Sequence, residues 1–281
     1  MFSSLTTEGA QATLDALDAG AVDFLLKRLD KLSHNKAEFT NAICNKIRTL
    51  GSRAAFFTKQ VLGKDTPPFQ KTPNRAESSK RARLSNAGEL PLGKYKIVVI
   101  GASTGGPVAV QSITSALPSD FTVPILVVQH MPAAFTKPFA RRLDALSKLS
   151  IKEAEDGDIL EAGRIYVAPG GKQMVLENKS TKAVVRIRDS YGEEQYKPSV
   201  DITYKSVSGV YGKAALAIIL TGMGSDGREG ASLLKQAGSA IWAQDEYSSI
   251  VYGMPQAVID AGLADRVLPI NEIARQLALG I

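Results

Sequence analysis

A single cysteine, Cys44, in 281 residues excludes an internal disulfide and any centre built on paired thiolates. It lies in a helix-patterned stretch, where a small buried hydrophobe is its plain reading. Histidine is nearly as scarce: only His34 and His130 occur, and no H-E-x-x-H spacing is present, so a zinc site lacks ligands. Neither a metal nor another cofactor is expected. No apolar run approaches the roughly 18 residues a membrane span requires, and the N-terminus lacks a basic stretch followed by an apolar one. Direct membrane insertion is therefore not expected, and a cytoplasmic location is. The net charge of +6 does not indicate nucleic acid. Much of the excess sits in one tract, Lys71, Arg75, Lys80, Arg81 and Arg83 against Glu77, with none of the interleaved aromatics that stack on bases.

What is present divides the chain into three parts, 1–57, 58–93 and 94–281. Residues 1–5 read as the end of a strand, 7–19 as a helix with Ala10, Leu14 and Leu17 inward, 21–26 as a short apolar strand and 36–57 as a longer helix. These pieces hold too little core to stand as a domain, and the segment is expected to dock poorly on the C-terminal part, leaving any site there open. Residues 58–93 shift to proline, serine and basic residues without apolar periodicity, the composition of a linker.

From Lys94 strand and helix patterns alternate, which predicts a doubly wound, mainly parallel α/β sheet with helices on both faces. Buried strands are read at 96–100, 125–129, 215–221 and 240–244, and helices at 107–117, 138–149, 200–210 and 228–238. Three short stretches, 164–168, 173–177 and 183–189, read as a small antiparallel meander.

Three of the buried strands end on polar residues among glycines or prolines: "GASTGG" presents Ser103, "QHMP" presents His130 and "TGMGSDG" presents Asp226. Open α/β sheets bind ligands outside the carboxyl ends of their strands, so these loops can converge. The three residue types are a nucleophile, its base and the group that orients the base. Small residues beside Ser103 leave room for a substrate carbonyl, and the next helix offers free N-terminal amides to an oxyanion. With His34 in the polar "KLSHNKAE" stretch, a base for the C-terminal unit has to be His130. Each residue alone has a plain structural reading: a strand-end histidine, an N-capping aspartate, a tight glycine turn. "GASTGG" fits neither G-x-G-x-x-G nor the P-loop spacing, and it is not the G-x-S-x-G elbow. A non-catalytic signalling module that binds a helical partner, and a nucleotide-dependent regulator, remain the alternatives.

The motifs "IGASTGG", "QHMP", "EAEDGD", "YVAPGG", "KPSVD", "LTGMGSDG" and "YGMPQAV" stand in the order found in the chemotaxis protein-glutamate methylesterase family, which the chain resembles along its whole length. "FSSLTTEG" and "LDAGAVDFLLK" are similar to the last third of that family's response-regulator receiver, with Ser3 and Lys27 at its strand-end hydroxyl and lysine positions. Arg28 departs from the usual proline, and the receiver's phosphoacceptor and metal-binding acids would lie before Met1, so phosphoryl switching is not expected of this sequence. The resemblance implies that Ser103, His130 and Asp226 form a triad, and that Thr104 and the amide of Met223 contact substrate. It further implies release of methanol from glutamyl methyl esters on methyl-accepting chemotaxis receptors, and deamidation of receptor glutamines. In intact members a histidine kinase is a second partner, and the receiver covers the esterase site.

Overall fold

Why the C-terminal two thirds forms a sheet is legible from its strands, which are buried on both sides. In the computed structural model, which describes residues 1–3, 6–26, most of 40–51, 94–180, 182–192 and 194–280, seven strands lie parallel in the order β11-β10-β9-β3-β4-β6-β5. They are β3 (Ile97–Ala102), β4 (Ile125–Gln129), β5 (Ser150–Glu153), β6 (Arg164–Val167), β9 (Ala215–Ile219), β10 (Ala240–Gln244) and β11 (Arg266–Leu268). Alternate side chains leave opposite faces, and this divides the interior into two separate cores. Val98, Ile100, Ile125, Val127, Leu216 and Ile218 pack beneath α2 (Gly106–Ala116), α3 (Ala133–Leu146) and α7 (Ile270–Gly280). Ile97, Val99, Leu126, Val128, Ala217 and Ile219 pack beneath α4 (Val200–Tyr211), α5 (Arg228–Gln236) and α6 (Gly253–Asp260). Each such side chain removed from water stabilises the fold by about 1.5–3 kcal/mol.

Strand order reverses at β3. The chain runs outward from β3 through β4 to β6 and β5, then returns to β3's other side with β9. The carboxyl ends of β4, β3 and β9 thus border the crevice where this architecture holds ligands.

The doubly wound sheet agrees with the sequence, with three differences. The stretch 164–168 is no part of a meander: β6 pairs in parallel with both β4 and β5, and only β7 (Gln173–Lys179) and β8 (Lys182–Arg188) form an antiparallel hairpin. A four-residue apolar strand carries the same pattern in either direction, so orientation is not encoded in it. The helix read at 138–149 begins at Ala133 and carries Pro138 inside it, because Phe135, Phe139, Ala140 and Leu143 make one buried face. And β5, β11, α6 and α7 were not anticipated.

The N-terminal residues form β1 (Phe2–Ser3), α1 (Thr7–Asp18) and β2 (Leu25–Leu26), with β1 and β2 paired in parallel. Thr6 caps α1 by accepting from the Gly9 amide at 3.0 Å. Poor docking is not what is found. Ala10, Leu14 and Leu17 are buried in the same core as α2 and α3. Phe24 stacks on Phe135 at 4.9 Å, and Arg142 pairs with Asp15 at 2.8 Å. Among the described residues, α1 takes its apolar partners chiefly from α3. Lys27, His34, the ends of the helix read at 36–57 and the whole of 58–93 lie outside the described residues.

Candidate active site

Ser103 follows β3 directly. Its amide donates to Thr221 O at 3.0 Å, and its carbonyl accepts from the Gly106 amide at 2.8 Å and from Gln129 Nε2 at 2.9 Å. The turn into α2 passes through Gly105 at φ +78°, where a side chain would also strike Ile250. From the β9 side, Gly222 passes so close that a Cβ there would lie 2.9 Å from Cβ of Ser103. The serine is fixed on both flanks, with the N-terminus of α2 beneath it.

His130 continues β4, its amide donating to Ala102 O at 3.0 Å. Its Nε2 lies 2.7 Å from Asp226 Oδ2. Asp226 is 5 % exposed and also accepts from Ser199 Oγ at 3.0 Å, the Val200 amide at 2.7 Å and the Asp201 amide at 3.0 Å. It therefore sits against the N-terminus of α4, where unpaired amides and the helix dipole favour an anion. Burial opposes its charge, but the bonds from His130, Val200 and Asp201 prevail and hold the carboxyl below its ordinary range. Asp201 goes the other way: burial above all, with the charge of Asp226, raises it to about 6 although the Gly230 amide donates to it.

A cavity of about 300 Å³ opens over these strand ends, lined by Ser103, Thr104, Pro107, Gln129, His130 and Pro132 from the sheet domain and by Asp23, Phe24, Leu25 and Lys46 from the N-terminal part. Lys46 is held there by Asp23 at 2.7 Å and donates to Phe24 O at 3.3 Å. The site is thus walled rather than open. Of the residues singled out in the sequence, Ser103, Thr104 and His130 share this cavity and Asp226 backs His130. Met223, 39 % exposed, lies on the turn that reaches Ser103 through Gly222. No hydrogen bond among the described residues joins the Ser103 hydroxyl to His130, as is common where substrate is absent. Sequence reasoning missed Ser199 and Asp201, which hold Asp226, and the N-terminal wall. The motif "KPSVD" contains the first two, but a capping serine followed by an acid in the first turn marks any helix start.

Fold and site together define a class: an α/β protein whose switch-point crevice carries the residue types of a serine hydrolase. The chain belongs to the CheB methylesterase family, whose model matches residues 98–277. It is similar over its full length to the protein-glutamate methylesterase/protein-glutamine glutaminase 1 of Vibrio vulnificus strain YJ016, at 46% identity and covering 78% of that protein. A protein-glutamate methylesterase/protein-glutamine glutaminase of Pseudomonas savastanoi pv. phaseolicola is 45% identical over 99% of this chain and 78% of its own length. The crystal structure of the Thermotoga maritima CheB methylesterase catalytic domain matches with a TM-score of 0.64 and 43% identity, over 66% of this chain and 97% of that one.

Proposed function

We propose that the chain hydrolyses glutamyl γ-methyl esters of methyl-accepting chemotaxis receptors, releasing methanol, and deamidates receptor glutamines, with Ser103, His130 and Asp226 as its triad. The observation that carries this is the 2.7 Å contact between His130 and the buried Asp226, on the same cavity wall as Ser103. An ionised carboxylate only accepts, so Nε2 of His130 holds the proton and Nδ1 is the base left for the serine. Ser103 Oγ attacks the glutamyl carbonyl carbon as its proton passes to His130. At the start of α2 the Gly106 amide is taken by the Ser103 carbonyl and Pro107 has none, so the tetrahedral oxyanion falls to the Met223 amide, with Thr104 beside it. Collapse expels methanol, or ammonia from glutamine, which leaves with the proton from His130. Water then attacks the acyl-serine by the same route in reverse, and no cofactor enters.

In this reading residues 94–281 are the catalytic unit, 58–93 a linker and 1–57 a receiver-like part that walls the cavity. The enzyme acts in chemotactic adaptation on the cytoplasmic helical region of receptors; the histidine kinase is a partner of intact family members and is not carried over to this chain. The test is incubation of the purified chain with methylated receptor and measurement of released methanol. Ser103→Ala is expected to lower turnover at least ~1000-fold, since triad members act as a unit. Retention of more than about a tenth of turnover removes Ser103 as nucleophile.

A further inference from the structure

One hydrogen bond does not orient an imidazole. The contact between Nε2 and Asp226 fixes one ring atom, while the ring can still roll about that axis and carry Nδ1 away from Ser103. A second surface is needed, and Tyr196 provides it: its ring lies 4.4 Å from that of His130, centroid to centroid, with the planes 6° apart. Stacking over a face blocks the roll that the hydrogen bond leaves free.

The tyrosine is itself held. Gln173, fully buried, donates from Nε2 to Tyr196 O at 2.7 Å and accepts at Oε1 from the Ser199 amide at 2.9 Å. One buried amide thereby staples both ends of the segment 196–199. The same stretch runs on to Val200 and Asp201, whose amides bind Asp226 together with the Ser199 hydroxyl. Residues 196–201 thus grip the aspartate with their donors and the histidine with their ring, so the two groups keep a common frame.

The geometry points to Tyr196 as a positioning residue of the hydrolysis, acting through His130 by its ring face and not by its hydroxyl. This rests on the triad proposed above. The face of a phenol carries partial negative charge, and the imidazole gains positive charge only as it takes the serine proton. The stack is therefore stronger in the transition state than in the resting enzyme, and its loss falls on kcat and not on KM.

Three variants in the full chain test it on methylated receptor. Tyr196→Leu is expected to lower kcat about tenfold with KM within about twofold, whereas Tyr196→Phe, which keeps the ring, stays within about twofold of wild type. Tyr196→Met, similar in volume and equally without a face, repeats the Leu result if the Leu variant melts early. A second readout needs no turnover. The chain has two histidines, so His34→Gln identifies the imidazole proton resonances of His130. Those resonances should show the ring-current shift of a stacked aromatic in wild type and Tyr196→Phe and lose it in Tyr196→Leu. Wild-type kcat in Tyr196→Leu, or a Phe variant as impaired as the Leu one, overturns the proposal while Ser103→Ala stays inactive. An active Ser103→Ala overturns the triad instead, and the two failures are told apart.

Discussion

The two ends of the molecule are stabilised by different means. The C-terminal part covers both faces of its seven strands with helices the same stretch supplies. The described N-terminal part has two strands of two residues each, helical residues within 40–51, and the helix α1, whose apolar side belongs to the core beneath α2, α3 and α7. Counting apolar residues within a segment says how little core it can close by itself. It gives no information about docking: Ala10, Leu14 and Leu17 are buried in a core shared with α2 and α3, and Phe24 stacks on Phe135. The same dependence places Asp23, Phe24, Leu25 and Lys46 in the wall of the catalytic cavity. Stability of the N-terminal part and access to Ser103 are thus set by one interface.

Phe24→Ala is the sharpest way to break this comparison. Removing a half-buried ring stacked on Phe135 is expected to cost about 1–2 kcal/mol, and so to lower Tm by about 3 °C or more. It should also raise turnover on a short methyl-ester peptide, because Phe24 narrows the cavity. Calorimetry and methanol release read the two effects. An unchanged Tm together with unchanged turnover would mean that the stacked pair neither secures the segment nor limits the cavity.

A smaller effect is expected within the C-terminal part, at Asp201. Its folded-state pKa, about 6, stands above the ordinary 3.8, so the folded protein binds this proton more tightly than the unfolded chain. That favours folding below about pH 4, and the advantage is lost as pH rises through about 6. Asp201→Asn keeps an oxygen for the Gly230 amide and removes the charge beside Asp226. Its Tm should exceed that of wild type by about 2 °C at pH 8, with the gap closing at pH 4. A gap of the same size at both values would show that repulsion between the two carboxylates is not its source.

The sheet was legible in the sequence because its central strands are buried on both faces and so read as unbroken apolar runs. "KIVVI", "ILVVQ" and "ALAII" admit few other interpretations. Strand β5, "SIKE", lies at the sheet's edge, and its polar residues hide it. The triad candidates were legible because each stands where a buried strand meets a glycine or proline turn. Ser199, Asp201 and Tyr196 were not, because they act through a segment far along the chain from His130, and nothing in a serine or a tyrosine distinguishes an orienting contact from an ordinary cap or an exposed ring. Lys46 and Asp23 were hidden for a related reason: a cavity wall assembled across two parts of a chain leaves no periodicity in either.

The smallest expected effect separates apolar docking from charge pairing at the same interface. Asp15 and Arg142 meet at 2.8 Å between α1 and α3, and Gln11 also donates to Asp15, at 3.1 Å. The carboxylate is 58% exposed, so water competes for it and salt screens what attraction remains. Exposed pairs of this kind contribute about 0.2–1 kcal/mol, against the larger burial of Leu14 and Leu17, which lie on the inner face of the same helix. At the low end of that range, about 0.2–0.3 kcal/mol, Asp15→Asn is expected to shift Tm by less than about 1 °C in low salt and not measurably in half-molar salt, with Phe24→Ala unaffected by the salt. A larger shift for Asp15→Asn than for Phe24→Ala would reverse the account of the interface, making the N-terminal part an electrostatic attachment that high salt releases from the cavity.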